Sequence, residues 1–77
     1  MSQDLKNIHI KYSDLMKGWI IYRNTKAELY GSTLYLATNP NTPYWDWDER
    51  SAGVYVTKAE AVFVAQNNPY LKGWTLA

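Results

Sequence analysis

Gly18-Trp-Ile-Ile-Tyr-Arg-Asn24 is the stretch that decides the fold, because it joins β-branched and aromatic residues in one short run. Runs of this composition are typical of strands. A second such run, Ser32-Thr-Leu-Tyr-Leu-Ala-Thr38, follows after a connection over 25–31. The two runs predict a β-hairpin, in which Leu34 and Leu36 point inward.

The residues before this hairpin fit two structures. Apolar residues recur at helical spacing at four positions: Leu5, Ile8, Tyr12 and Leu15. A helix there would end at Gly18, a natural left-handed terminator. The alternation of Ile8, Ile10 and Tyr12 fits a strand instead. We favour a helix over 3–17, since a strand would leave Leu15 and the residue after it exposed in its turn.

Two prolines interrupt the chain after the hairpin, in Asn39-Pro-Asn-Thr-Pro43. Prolines restrict both themselves and the preceding residues, so we predict a loop over 39–50. Val54-Tyr-Val56 then reads as a third strand. Gly73-Trp-Thr-Leu-Ala77 predicts a short final strand.

Thr57-Lys-Ala-Glu60 has the pattern of a capping box, in which a threonine hydroxyl and a glutamate carboxylate satisfy backbone amides at a helix start. We therefore predict a helix that begins after Thr57 and stops at Asn67-Asn68-Pro69. Val56 and Ala61 would form its hydrophobic staple. Four residues would form its main stripe, with Ala61 and Ala65 beside it: Ala59, Val62, Phe63 and Gln66.

The composition supports one ordered domain over 1–77. The apolar share of the 77 residues is 47%, and four Trp and seven Tyr supply much of it. Without cysteine the chain has no disulfides, so packing around an aromatic core must stabilise it. The predicted fold class is α+β, a small antiparallel sheet of three to four strands with one or two helices packed on one face.

The sequence lacks the features that are typical of several classes of protein. The formal charge of only +1 does not indicate a strongly basic nucleic-acid binder or an acidic DNA mimic. The first residues do not have the pattern of a secretory signal, and no apolar run is long enough to span a bilayer, so we expect a cytoplasmic protein that does not enter membranes. No phosphate-binding glycine loop or nucleophile elbow is present, and His9 is read as a structural histidine. We therefore expect no enzyme activity, no catalytic residues, no metal site and no cofactor.

The acidic aromatic segment 44–50 is the main candidate site. Exposed rings flanked by charges are typical of protein-binding hot spots. The candidate partner-binding residues are Tyr44, Trp45, Asp46, Trp47, Asp48, Glu49 and Arg50. A calcium or magnesium loop and a sugar site are weaker interpretations of the same residues. In a further alternative, Trp45 and Trp47 both turn into the core.

A second function hypothesis is single-stranded nucleic-acid binding by a basic aromatic N-terminal face. Cations would contact phosphates while rings such as Tyr22 stack on bases. The candidate residues are Lys11, Lys17, Arg23 and Lys26.

The run from Tyr44 to Ala61 resembles a pattern in small uncharacterised bacterial and phage proteins: a tryptophan-acid segment, a strand and a Thr/Ser-Lys-x-Glu-Ala helix start. Proteins of this size class include anti-CRISPR and other anti-defence factors. The resemblance implies a small protein that binds, and inhibits or modulates, a bacterial or host protein.

Overall fold

The computed structural model describes residues 7–25, 32–38 and 43–77. In chain order the regular elements are β1 (Asn7–Ser13), β2 (Gly18–Thr25), β3 (Ser32–Thr38), β4 (Pro43–Asp46), α1 (Lys58–Asn67) and β5 (Thr75–Leu76). Two short 3-10 helices, Glu49–Ser51 and Pro69–Leu71, lie on either side of α1 in the sequence. The predicted α+β class is confirmed.

The strands form one sheet in the order β4-β3-β2-β1-β5. The first four strands pair antiparallel, and β5 pairs parallel to β1 through Asn7 and Ile8. The sheet is therefore mixed and has five strands in the described part of the chain, instead of the predicted antiparallel three or four. The predicted hairpin of β2 and β3 and the final strand are confirmed.

β1 occupies part of the segment predicted as a helix, so the prediction is wrong for 7–13. The strand lies between β2 and β5, and its backbone groups pair on both sides. The amide of Ala77, for example, donates to the Ile8 carbonyl at 2.9 Å. Pairing with segments distant in sequence thus outweighs the helical spacing of the apolar residues.

The β1–β2 turn also differs from the prediction. Gly18 starts β2, and the left-handed residue is Lys17, with φ 60°. The Lys17 amide donates to the Ser13 carbonyl at 2.7 Å and closes the turn. Leu15 is exposed in this turn. The helix prediction for 3–17 rested on the argument that a strand would expose this residue.

Most of the core lies on one face of the sheet, although Ile20 and Ala37 are buried on the opposite face. We call the face with most of the core the helix face. Its strand residues and α1 meet in a buried cluster: Ile8, Ile21, Leu36, Ala61, Ala65 and Leu71. The rings of Trp19, Trp45, Tyr55 and Trp74 pack against this cluster and are only partly buried. The expected aromatic core is therefore an aliphatic core with aromatic rings around it.

The start of α1 follows the capping box closely. The Thr57 hydroxyl accepts the Glu60 amide at 3.1 Å, and a Glu60 carboxylate oxygen accepts the amide of Val56, also at 3.1 Å. In a capping box this carboxylate accepts the amide of the cap residue, here Thr57, so it reaches one residue further back than the pattern predicts. Val56 is 85% exposed, so the expected staple with Ala61 does not form.

The buried side of α1 differs from the predicted stripe. Ala61 and Ala65, one turn apart, face the sheet, whereas Phe63 is 66% exposed. Residue 63 follows 61 by about 200° around a helix of 3.6 residues per turn, so it points to the opposite side. The small alanine side chains let the helix backbone lie close to the strands.

Two strands near the candidate site also differ from the predicted ones. Pro43–Asp46 forms the edge strand β4 within the predicted loop 39–50. A proline at the first position of an edge strand is tolerated, since its missing N–H is not needed in the ladder. The predicted strand Val54–Val56 is reduced to one bridge, in which Tyr55 and Trp19 exchange two hydrogen bonds of 2.8 Å.

Candidate functional site

The two tryptophans of the acidic aromatic segment have different environments. Trp45 lies opposite Leu36 in the β3–β4 register, so its side chain is on the helix face. Its ring centroid lies 5.6 Å from that of Trp74 and 6.3 Å from that of Tyr70. Trp45 is therefore part of the packing around the core.

Trp47 is 65% exposed in the bend that follows β4. Tyr44, at the start of the same strand, is 39% exposed. The alternative in which Trp45 and Trp47 both turn inward is therefore wrong for Trp47. The strand ends at Asp46, so the alternation that buries Trp45 does not continue to the next tryptophan.

The bend around Trp47 is held by carboxylates that accept backbone amides. We call residues 46–50 the tryptophan turn. A carboxylate oxygen of Asp46 accepts the Asp48 amide at 2.8 Å. Asp48 in turn caps the 3-10 helix Glu49–Ser51 by accepting the Arg50 amide at 2.9 Å. These bonds fix the backbone on both sides of the exposed ring.

The side chain of Arg50 also lies against Asp48, with Nε 3.3 Å from Oδ1. The backbone amide of Arg50 and then its guanidinium lower the pKa of the Asp48 carboxyl below its ordinary value. Both groups are largely exposed, so this ion pair is a weak contact that orients the turn.

Glu49 connects the tryptophan turn to the end of β1, which is separated from β4 by β3 and β2 in the sheet. The hydroxyl of Ser13, at the end of β1, donates to a Glu49 carboxylate oxygen at 2.6 Å. Ser13 is only 1% exposed, and its oxygen accepts the Met16 amide at 3.0 Å. The segment after β4 therefore crosses the sheet and is tied to the β1–β2 turn.

The chain leaves the tryptophan turn through another close approach. The amide of Gly53 donates to the Leu36 carbonyl at 2.9 Å. A side chain at position 53 would come within 2.5 Å of the Thr38 hydroxyl, so only glycine fits without a shift. Fixed contacts thus precede and follow the turn, and it presents Trp47 from a preorganised backbone.

The four basic residues of the nucleic-acid hypothesis do not form one surface. Lys11 lies on the sheet face opposite α1, and Lys17 is exposed in the β1–β2 turn. Arg23 is on the helix face, where its Cζ lies 4.7 Å from the Trp74 ring centroid and 5.5 Å from that of Trp45. Lys26 lies outside the described residues.

A row of side chains on the sheet face opposite α1 was not singled out from the sequence. Cross-strand pairing places His9 beside Tyr22, Tyr22 beside Tyr35, and Tyr35 beside Asp46. We call this face the tyrosine face. Finding the row requires the β1 register, and the helix prediction for 3–17 concealed it.

The described residues include no cluster of three or more His, Cys, Asp or Glu side chains arranged to hold a metal ion. No helix within 7–25, 32–38 and 43–77 combines the length and the apolar character needed to cross a bilayer. Comparison of the chain with protein-family models, curated proteins and solved structures finds no match.

Proposed function

We propose that the protein is a non-catalytic binding module that recognises another protein through the tryptophan turn. The observation that carries the proposal is the 65% exposure of Trp47 on a backbone fixed by three side-chain hydrogen bonds. Covering an exposed indole ring with a partner removes apolar surface from water and stabilises the complex. Tryptophan is also among the residues most enriched at binding hot spots.

The rigidity of the turn favours tight binding. Ordering a loop on association costs free energy, and a loop that is already ordered avoids that cost. Asp46 and Asp48 accept amides within the turn, and Glu49 accepts the Ser13 hydroxyl. The same carboxylates that shape the turn also surround Trp47 with negative charge.

The charges define the chemistry of the partner. The tryptophan turn carries three carboxylates and one guanidinium, and that guanidinium already contacts Asp48. The matching surface is an apolar pocket for an indole ring with lysine or arginine residues on its rim. Such rim charges speed association more than they raise affinity.

The resemblance of 44–61 to small phage and bacterial proteins supports an inhibitor or modulator of a bacterial or host protein as the biological role. In that role the module acts by occupying a surface of its target. Anti-defence activity of the phage type is the most specific form of this proposal.

The test compares capture of partner proteins from bacterial lysate by the immobilised wild type and by Trp47→Ala. Quantitative mass spectrometry identifies a partner, and its Kd is then measured with purified proteins. A hot-spot ring contributes about 2 kcal/mol or more, so we expect Trp47→Ala to raise Kd by about 30-fold. Trp45 is left intact, because its removal would disturb the packing around the core.

Phe63→Ala is the matched control. Phe63 is a ring of equal exposure, 66% against 65%, but it lies on the outer side of α1. We expect Phe63→Ala to bind as the wild type does. A partner retained equally by wild type and by folded Trp47→Ala would refute the proposal, as would an equal loss in both variants.

A further inference from the structure

The tyrosine face brings three rings into one continuous row across β1, β2 and β3. The rings of His9 and Tyr22 are stacked, with centroids 5.2 Å apart and planes inclined by 27°. Tyr35 is the direct neighbour of Tyr22 on the next strand. All three side chains are partly exposed, while α1 packs on the opposite side of the sheet.

A cation lies directly on this row. The Nζ atom of Lys11 is 5.0 Å from the centroid of the Tyr22 ring and 5.8 Å from that of the Tyr35 ring. Within the described residues, no carboxylate forms an ion pair with Lys11. Among the described residues the ammonium contacts ring faces, and it can also bind an external anion.

The polar groups next to the row add hydrogen-bonding capacity. On the same face, the Thr33 hydroxyl donates to the Asn24 side-chain oxygen at 3.2 Å, and this pair lies two cross-strand pairs beyond Tyr22 and Tyr35. This bond uses the oxygen of the Asn24 amide. The Asn24 amide nitrogen can then donate to a ligand that lies along the rings.

We propose that the tyrosine face is a second binding site, and that its ligand is single-stranded nucleic acid. Tyr22 and Tyr35 stack on bases, and Lys11 contacts a phosphate. Rings on an exposed sheet that stack successive bases, together with cations that follow the backbone, are the general means of binding single strands. The ligand must be both planar and anionic, because the rings and the ammonium lie within 6 Å of each other.

Asp46 limits the site at one end. Its carboxylate lies beside Tyr35 in the register and repels phosphate. The bound strand therefore lies over His9, Tyr22 and the near side of Tyr35, away from the tryptophan turn. Asp46 belongs to both this boundary and the tryptophan turn, but Trp47 is not part of the row, so the two sites can be tested separately.

The test measures fluorescence anisotropy of a labelled oligothymidine of about 12 nucleotides, a length within the range that small single-strand sites cover. Tyr22→Leu should weaken binding between about 5- and 150-fold, the range for loss of one stacked base. Tyr22→Phe keeps the ring and should bind as the wild type does. Tyr12→Leu, a tyrosine removed from the helix face of β1, is the matched control and should leave binding unchanged.

Charge variants test the phosphate contact separately. Lys11→Gln should weaken binding and reduce the slope of log affinity against log salt by about 0.7, as expected for one lost phosphate contact. Asp46→Asn keeps the oxygen that accepts the Asp48 amide but removes the charge, so it should strengthen binding. Circular dichroism establishes that each variant is folded.

Three results would overturn the proposal. The first is an absence of oligothymidine binding by the wild type in low salt at the highest soluble concentration. The second is equal affinity of the wild type, Tyr22→Leu and Lys11→Gln. The third is a loss in Tyr12→Leu as large as that in Tyr22→Leu. Trp47→Ala should retain oligothymidine affinity, which separates this site from the tryptophan turn.

Discussion

Replacing Trp45 and replacing Trp47 should have very different effects on the free energy of unfolding, although the two residues are only two positions apart. Trp45 packs against the core cluster and contacts the rings of Tyr70 and Trp74, whereas Trp47 is 65% exposed. We expect Trp45→Ala to destabilise the fold strongly and Trp47→Ala to leave it nearly unchanged. The difference follows from strand alternation in β4 and from its end at Asp46.

The magnitude follows from the buried surface. A mostly buried tryptophan removes roughly 100–200 Å² from water, which at about 25 cal/mol per Å² is about 2.5–5 kcal/mol. The ring contacts add about 1 kcal/mol, and part of the indole of Trp45 stays exposed. We therefore expect Trp45→Ala to lower the free energy of unfolding by about 3 kcal/mol. A substitution at an exposed position costs about 0.5 kcal/mol or less.

The assay is urea unfolding followed by circular dichroism, with the slope and the midpoint fitted for each variant. A domain of this size has a total stability of roughly 4–12 kcal/mol, so a loss of about 3 kcal/mol shifts the midpoint clearly. Equal losses in Trp45→Ala and Trp47→Ala would refute the assignment of the first ring to the core and the second to the surface.

Two further predictions concern buried polar groups. Ser13→Ala removes the hydrogen-bond partner of both Glu49 and the Met16 amide, so we expect a loss of about 1–3 kcal/mol in urea unfolding; unchanged stability would show that the anchor is dispensable. Burial, and then the Glu60 carboxylate, raise the pKa of the Tyr55 hydroxyl. Its contribution to stability is therefore complete below the unfolded pKa of about 10 and is lost as pH rises through the folded pKa. Ultraviolet titration of phenolate should show this late ionisation in the wild type but not in Tyr55→Phe, and titration of every tyrosine at its ordinary pKa would contradict it.

Local signals in the sequence predicted several elements well. The capping box placed the start of α1 at Thr57, because its hydrogen bonds join residues three or four apart. The composition of Gly18–Asn24 and Ser32–Thr38 predicted the hairpin. Each of these features depends on residues that are close together in the chain, so a short stretch of sequence is enough to predict it.

Elements that depend on distant partners were predicted less well. The segment around Ile8 satisfies both a helical and an alternating pattern, and only β2 and β5 on its two sides make it a strand. The prolines at positions 40 and 43 predicted a loop. Pairing with Leu36 and Ala37 of β3 instead makes Pro43–Asp46 a strand. The outer side of α1 was mistaken for the buried side, because Phe63 is more apolar than the alanines that face the sheet.

The candidate site also depends partly on local sequence and partly on strand pairing. The sequence identified the acidic aromatic segment 44–50, but it left the two tryptophans equivalent. It also grouped Lys11 with Arg23 as basic residues of one surface. The paired strands place Lys11 on the tyrosine face and Arg23 between rings on the helix face.

The sequence alone determined the α+β class, the hairpin, the helix start and the absence of cysteine chemistry. These depend on composition and on contacts within a few residues. The tertiary structure decided which rings are exposed and which charges share a surface. Strand pairing joins segments far apart in the chain, and the register of that pairing determines the side of the sheet on which each residue lies.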